Sequence, residues 1–491
     1  MSGPAPGEPA PAPDPAPDGG GAGSPPRPDP GSFRDPTGLV WVEPDRFDRV
    51  LRALTADGLA DLDRLLATRL AADAVAAGRL IPTERLDPAP EVDGGPWAAV
   101  VAHPRVPVVS YPYEWTFSAL RDATLLQLDL LVGALAEGLV TKDATPYNVQ
   151  LVGTRPVFID VGSFEPLAAG EPWRGYRQAC ALGLYPLMLQ SLVGVPFQPW
   201  LRGSLEGIAP ADMARLLRGR QRLRRGVPTH VWLHARAEAR YAARTGADTA
   251  ADLRRAGVRP EVIAAMAKGL RRRVAALTWE AGESEWSGYS EREHYTDADL
   301  AAKERFVTDV ASARRRRVVW DVGANDGRFS RLVAPHADAV VASDADPLVV
   351  DVLHRALRAE GDETIVPLVH DLADPSPGLG WQGRERPPLE QRIRPELVLH
   401  LAVIHHVVIS RTVPVDAYLD ALVALDAEVV LEVPHRDDPK VVRLLAAKQH
   451  PERVAYGLDV VAAAVATRFD EVRRAALPSG TRTLLHLRPR R

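Results

Sequence analysis

The segment Asp321-Val-Gly-Ala-Asn-Asp-Gly327 has residue types and a spacing that suit ligand binding. It follows Val318-Val-Trp-Asp-Val322, which reads as a buried strand, and precedes a short helix over Arg328 to Val333. Gly323 and Gly327 permit a tight turn and a close backbone approach to a ligand above the strand ends. Ala324 and Asn325 follow Gly323, whereas a dinucleotide fingerprint, G-x-G-x-x-G, would put a second glycine at Asn325 to cradle a pyrophosphate. Asp326 stands beside them. An acidic mouth suits a ligand with an amino group and a sulfonium better than a diphosphate.

Further acids follow at the ends of successive strands. Asp344 closes the strand Ala339-Val-Val-Ala-Ser343, where a carboxylate can accept from both ribose hydroxyls of a nucleoside. Asp346 is the alternative for that task, or caps the helix that starts at Pro347. The third strand, Ile365 to His370, ends at Asp371. The fourth runs into His405-His406, and a neutral imidazole there could take a proton from a hydroxyl or an amine. The plainer reading is that one of these histidines packs under the sheet end and the other caps a loop. Glu432-Val-Pro-His435, after the fifth strand, is a second rim candidate.

These elements alternate strand and helix from residue 314 to the end, which predicts a parallel sheet with helices on both faces. Phe469 to Ala475 and Thr481 to Leu487, joined through Pro478-Ser-Gly480, read as a terminal antiparallel pair. The resulting α/β, Rossmann-like seven-stranded pattern resembles the class I S-adenosylmethionine-dependent methyltransferases over about Trp286 to Arg491. The resemblance implies S-adenosylmethionine as cofactor. It places Asp321, Gly323 and Gly327 against the methionine part, Asp344 on the ribose and Asp371 on the adenine amino group. Glu396 departs from the family, which more often has Asp entering the fourth strand. The implied acceptor is a small molecule, a glycan or a natural-product intermediate.

A second constellation lies upstream. Asp143 stands five residues before Asn148, and the extended pair Asn148–Val152 and Pro156–Asp160 then leads to Asp160-Val-Gly162. This order, after a helix predicted from Trp115 to Glu137, resembles protein-kinase-like folds, where an Asp stands five residues before an Asn and Asp160 falls where the metal-binding acid would be. Thr141 replaces the usual His. No Gly-rich phosphate loop and no strand with a paired Lys are evident, although phosphoryl transfer requires both. A degenerate lobe serving docking or substrate capture fits better than an active kinase, and a coincidental turn and hairpin is the bland alternative. The run Lys142-Asp-Ala-Thr-Pro-Tyr-Asn148 is also similar to bacterial methyltransferases related to a rhizobial nodulation protein.

The expected organisation is a disordered Pro/Ala/Gly-rich tail over 1–36, a mostly helical α+β domain over 37–278, an aromatic connector and helix over 279–313, and the cofactor domain over 314–491. Within the second unit, the apolar spacing from Pro44 to Arg79 predicts helix. The formal net charge of −4 gives no overall attraction to nucleic acid or an anionic membrane. Arginine clusters (Arg220 to Arg225, Arg271 to Arg273, Arg314 to Arg317) are the one feature favouring an RNA methyltransferase. The lone Cys180 forms neither an intrachain disulfide nor a zinc cluster, and a reducing, cytoplasmic location is expected. No metal site and no membrane span are expected. The region before Arg317, with Trp286, Tyr289 and Tyr295, is expected to pack over the mouth formed by Gly323, Asp344 and His405.

Overall fold

The computed structural model describes residues 25–242, 257–279 and 296–490. Its first unit is a five-stranded antiparallel sheet in the order β1-β2-β3-β5-β4. The strands are β1 (Arg27–Pro28), β2 (Gly38–Val42), β3 (Arg49–Leu54), β4 (Glu84–Arg85) and β5 (Ala99–Pro104). Two expectations are corrected here. The helical spacing read from Pro44 misses β3, whose backbone groups are taken up by β2 on one edge and β5 on the other. Sheet pairing overrides local periodicity there, and helix begins only after Thr55, which caps α1 (Ala56–Leu66), with α2 (Arg69–Ala76) following. The tail also ends sooner than residue 36. Arg27 and Pro28 pair with Val42 and Trp41, and Arg34 reaches Glu385 at 2.7 Å.

The expected long helix is α3 (Phe117–Ala136), capped by Thr116. It buries Leu120, Ala123, Leu128 and Leu131 as well as Asp122 and Gln127, so it is enclosed on nearly all sides and acts as a central core helix. The helix α4 (Pro260–Ala275) packs along it. After α3 come β6 (Leu139–Thr141), the hairpin β7 (Val149–Val152) and β8 (Arg155–Phe158), and β9 (Phe164–Pro166), which pairs with β6. Short α- and π-helical turns fill most of 176–242.

The C-terminal sheet has seven strands in the order β12-β11-β10-β13-β14-β16-β15. Five are parallel: β10 (Arg316–Val322), β11 (Ala337–Asp344), β12 (Ile365–Val369), β13 (Leu397–His400) and β14 (Glu428–Pro434). The last two, β15 (Phe469–Ala476) and β16 (Arg482–Pro489), are antiparallel, with β16 inserted beside β14. One face, with Val319, Val340, Leu399 and Val430, packs under α5 (Asp297–Ser312), α6 (Arg328–Val333) and α7 (Pro347–Glu360). Half of the other face, with Val429, Leu431 and Leu485, packs under α9 (Val415–Val423), α10 (Pro439–Ala446) and α11 (Leu458–Ala466).

The remaining half-face carries Val318, Trp320, Val322, Val341, Val366 and Leu368. From the sheet's own connections it receives the single turn α8 (Leu389–Ile393) and loop side chains such as Leu372 and Leu379. The N-terminal region completes the cover, in one continuous core with α3. Each large apolar side chain buried there is worth about 1.5–3 kcal/mol, which explains why this face is not left bare. Polar contacts fix the docking. Ser118 donates its backbone N–H to Asp351 Oδ1 at 2.8 Å, and Arg358 pairs with Asp122 and Arg392 with Glu114. The N-terminal region therefore backs the sheet, while Gly323 at the mouth stays exposed. Trp286, Tyr289 and Tyr295 lie outside the described residues.

Candidate active site

The carboxyl end of β10 turns at Gly323, whose φ of +72° is a left-handed conformation that glycine adopts without strain. A Cβ on Gly323 would also stand 2.8 Å from Val403. The N–H groups of Gly323 and Ala324 both donate to the Ser343 carbonyl, at 2.8 and 3.0 Å, so the loop is stitched to the end of β11. Asn325 has a φ of +49° and donates its N–H to Asp344 Oδ2 at 3.2 Å. Gly327, by contrast, is buried and lets the start of α6 approach Leu353 on α7. A side chain there would collide with Leu353, so the glycine allows the two helices to pack closely.

Asp344 is half-buried, and burial raises its carboxyl above the usual range, opposed by backbone N–H groups. Its Oδ1 accepts from the Asp346 N–H at 3.1 Å. Each carboxylate oxygen has two acceptor positions, so capacity for ligand hydroxyls remains. Asp346 caps α7 through Oδ1, which accepts from the Leu348 N–H, while its Oδ2 is buried without a hydrogen-bond partner among the described residues. Asp371 accepts from the Ala373 N–H at 2.9 Å and pairs with Arg411 at 2.8 Å. That pair joins the segments after β12 and β13, which flank β11 and β10 in the sheet.

Asp321, at the end of β10, is buried beneath the loop. It is 2% exposed and accepts from Ser330 Oγ at 2.6 Å, and burial pushes its carboxyl up to about 6. Near it lies a buried ionic network that sequence reading missed. Lys303 on α5 meets Glu432 on β14 at 2.6 Å, Arg482 on β16 meets Glu432 at 3.0 Å, and Arg482 also meets Asp438 at 2.7 Å. Burial pulls the Lys303 ammonium down, and the Glu432 charge opposes this. Glu432, a rim candidate from the sequence, is fully buried and held between Lys303 and Arg482. No local signal could have revealed a cluster drawn from four separate elements.

His405 is 1% exposed, and neither ring nitrogen has a hydrogen-bond partner among the described residues. Its ring lies 4.2 Å from that of His406. Burial, then His406 and nearby cations, hold His405 well below the usual imidazole range, and burial lowers His406 to about 4. Both are neutral at pH 7, and His406 is the more accessible. His435 Nε2 lies 2.8 Å from Thr483 Oγ1. Arg314 to Arg317 meet carboxylates of their own chain (Glu396, Asp338 and Glu428), as expected at a strand start.

The upstream constellation is also assembled. Asp143 and Asp160 are close enough to interact, and burial raises the Asp143 carboxyl. Asp160 is met at 2.7 Å by Arg52, which projects from β3 and was not anticipated. Asn148 has its side-chain amide nitrogen without a partner among the described residues. Among the described residues, no three His, Cys, Asp or Glu side chains are grouped to hold a metal ion, and no helix is long and apolar enough to cross a membrane.

No protein-family model matches the chain. The nodulation protein NoeA of Rhizobium meliloti (strain 1021) is 32% identical over 459 residues, 92% of this chain and 94% of that protein. Among solved structures the chain is similar to N-methyltransferase NodS from Bradyrhizobium japonicum WM9 in complex with S-adenosyl-L-homocysteine. The identity is 14%, over 42% of this chain and all of that one (100%), with a TM-score of 0.31. It is also similar to magnesium protoporphyrin IX methyltransferase (ChlM) from Synechocystis PCC 6803 with bound SAM, at 16% identity over 43% of this chain and 87% of that one, with a TM-score of 0.28. At these scores the strand order and its antiparallel insertion describe the fold better than any superposition.

Proposed function

This chain belongs to the family of the nodulation protein NoeA, and we propose that it is an S-adenosylmethionine-dependent methyltransferase acting on a small-molecule or glycan acceptor. One juxtaposition carries the reading. Exposed, left-handed Gly323 at the end of β10 lies beside the Asp344 carboxylate at the end of β11. The surrounding sheet has its last strand inserted antiparallel next to the fifth.

The side chains in the crevice fit the cofactor. Gly323 presents bare backbone, and Asp344 with the unpartnered Asp346 Oδ2 offers acceptors suited to a ribose diol. When bound, S-adenosylmethionine supplies an electrophilic methyl group on a sulfonium. The chain's own task is then in-line positioning, since displacement at a sulfonium needs no covalent help. Asp344 orients the ribose hydroxyls, and Asp371, shared with Arg411, borders the adenine. His406 is neutral and can accept a hydrogen bond that orients an acceptor hydroxyl or amine, but with burial lowering it to about 4 it is a weak base unless a bound acceptor raises it. Calorimetric titration of the full chain with S-adenosylhomocysteine tests the reading, and absence of binding at millimolar ligand ends it.

A second reading concerns the N-terminal region, as a degenerate kinase-like scaffold. The Arg52–Asp160 pair bears on its activity, not on its fold, and speaks against an active kinase. A guanidinium occupies the carboxylate that phosphoryl transfer would give to a metal ion. Thermal unfolding with ATP and magnesium should show no stabilisation. A shift that disappears in Asp160→Ala would instead support nucleotide binding.

A further inference from the structure

An apolar groove of about 470 Å³ lies between the segment after β13 and the segment joining α10 to α11. Its volume is in the range of small-molecule sites. Val408 and Val413 form one wall, Val454 and Val460 the other, and Lys448 and Arg453 stand at the rim. The first wall begins two residues beyond His406, on the same π-helical turn. Ligands of open α/β sheets bind outside the carboxyl ends of the strands, and both walls are built from segments that follow β13 and β14.

The charge in the lining leans positive, with Lys448 and Arg453 against Asp416. Lys448 Nζ donates to the Ser410 carbonyl at 3.2 Å and lies 3.5 Å from Thr412 Oγ1, with no carboxylate in ion-pair range among the described residues. Among the described residues Arg453 meets Glu452, 3.8 Å away, which also lies 3.4 Å from His450, and both side chains of the Arg453–Glu452 pair are largely exposed, so the pair is weak. The acid in the lining, Asp416, meets Arg468 at 3.0 Å, a guanidinium that Asp420 also meets at 2.6 Å, so Asp416 keeps part of its charge and Lys448 and Arg453 outnumber it rather than stand alone. Apolar walls under a cationic rim fit an amphiphile with an apolar body and an anionic group.

We propose that this groove holds the apolar part of the methyl acceptor, with an anionic group of the acceptor against Lys448 and Arg453. The inference rests on the methyltransferase reading and names the substrate class for it. The probe is dodecanoate, titrated below its micelle concentration into the full chain, with dodecylammonium, dodecanol and hexanoate as comparisons. Dodecanoate should bind, at least about tenfold more tightly than hexanoate because each further buried methylene adds to affinity. It should also bind more tightly than dodecanol, and dodecylammonium should bind weakest.

Val454→Arg places a long side chain in the groove and should remove dodecanoate binding while S-adenosylhomocysteine affinity stays unchanged. Lys448→Met, on a part-exposed side chain, should erase most of the preference for the acid over the alcohol. Failure of dodecanoate to bind the wild-type chain overturns the inference. So does equal binding of dodecylammonium, or full binding by a folded Val454→Arg chain. If S-adenosylhomocysteine binds and dodecanoate does not, the groove assignment alone fails. If only dodecanoate binds, the groove stands as an amphiphile site and the methyltransferase reading fails.

Discussion

Two crevices in this molecule are built around aspartates at the ends of extended segments, and they differ in what faces the carboxylate. Asp160 is met by the Arg52 guanidinium from β3. Asp344 is met by the backbone N–H groups of Asn325 and Asp346. A guanidinium satisfies the charge and fills the space a cation would need. Backbone donors hold the carboxylate in place while leaving acceptor positions open. The same residue type is thus closed off in one crevice and available in the other.

The largest effect that separates the two comes from glycine substitutions. Gly323→Arg should abolish S-adenosylhomocysteine binding in calorimetry, since even a Cβ would collide with Val403 at a left-handed position. Gly162→Arg, in the upstream crevice, should leave that affinity unchanged. Equal loss in both folded variants would mean that the crevices form one site. The full chain is required for these measurements. A 296–491 fragment would expose Trp320, Val341 and Leu368, and should appear in circular dichroism as a loosely packed state without a cooperative transition.

Much of the downstream crevice was legible because its signals are local. The Asp321 to Gly327 loop, the acid at the end of β11 and the helix start at Pro347 each depend on a few consecutive residues. So does the pair β7 and β8 with its turn at Gly153-Thr154. The remainder depends on distant partners. Arg52 meets a residue 108 positions away, and Arg482 meets one 50 positions away. β1 sits in a Pro/Ala/Gly-rich stretch and is a strand only because β2 offers it an edge. The half-face covered by α3 has the same apolar alternation it would have under a helix of its own, so the sequence does not tell the two covers apart.

A smaller effect separates buried from open carboxylates by pH. Burial raises Asp321 to about 6, against about 3.9 in an unfolded chain. The protonated, folded form is therefore favoured. That contribution is fully present below about pH 4 and is lost as pH rises through 6, a swing of at most about 3 kcal/mol. Asp321→Asn keeps an acceptor for Ser330 and cannot ionise. Its stability relative to the wild-type chain should rise between pH 4 and 7, measured by urea unfolding at each pH. A constant difference across that range would mean that Lys303 fully compensates the Asp321 charge.

The last test compares the two carboxylates directly, and its effect is the most modest. Asp344→Ala removes acceptors that would engage ribose hydroxyls, and hydrogen bonds to a charged group are worth about 1.5–3 kcal/mol. Calorimetry on the full chain should show S-adenosylhomocysteine affinity falling by roughly ten- to 150-fold. Part of that loss would come through the loop, because Asn325 also loses its acceptor. Asp344→Asn separates the two contributions. Its amide oxygen can still accept from the Asn325 N–H while the charge is gone, so it should recover some of the affinity. Asp160→Ala, which leaves Arg52 unpaired, should lower stability without changing S-adenosylhomocysteine affinity. If Asp344→Ala and Asp160→Ala reduced that affinity equally, the difference drawn between a guanidinium-bound and a backbone-bound carboxylate would not hold. If Asp344→Ala left it untouched, the ribose contact would have to fall to Asp346, whose Oδ2 is the other free acceptor at the end of β11.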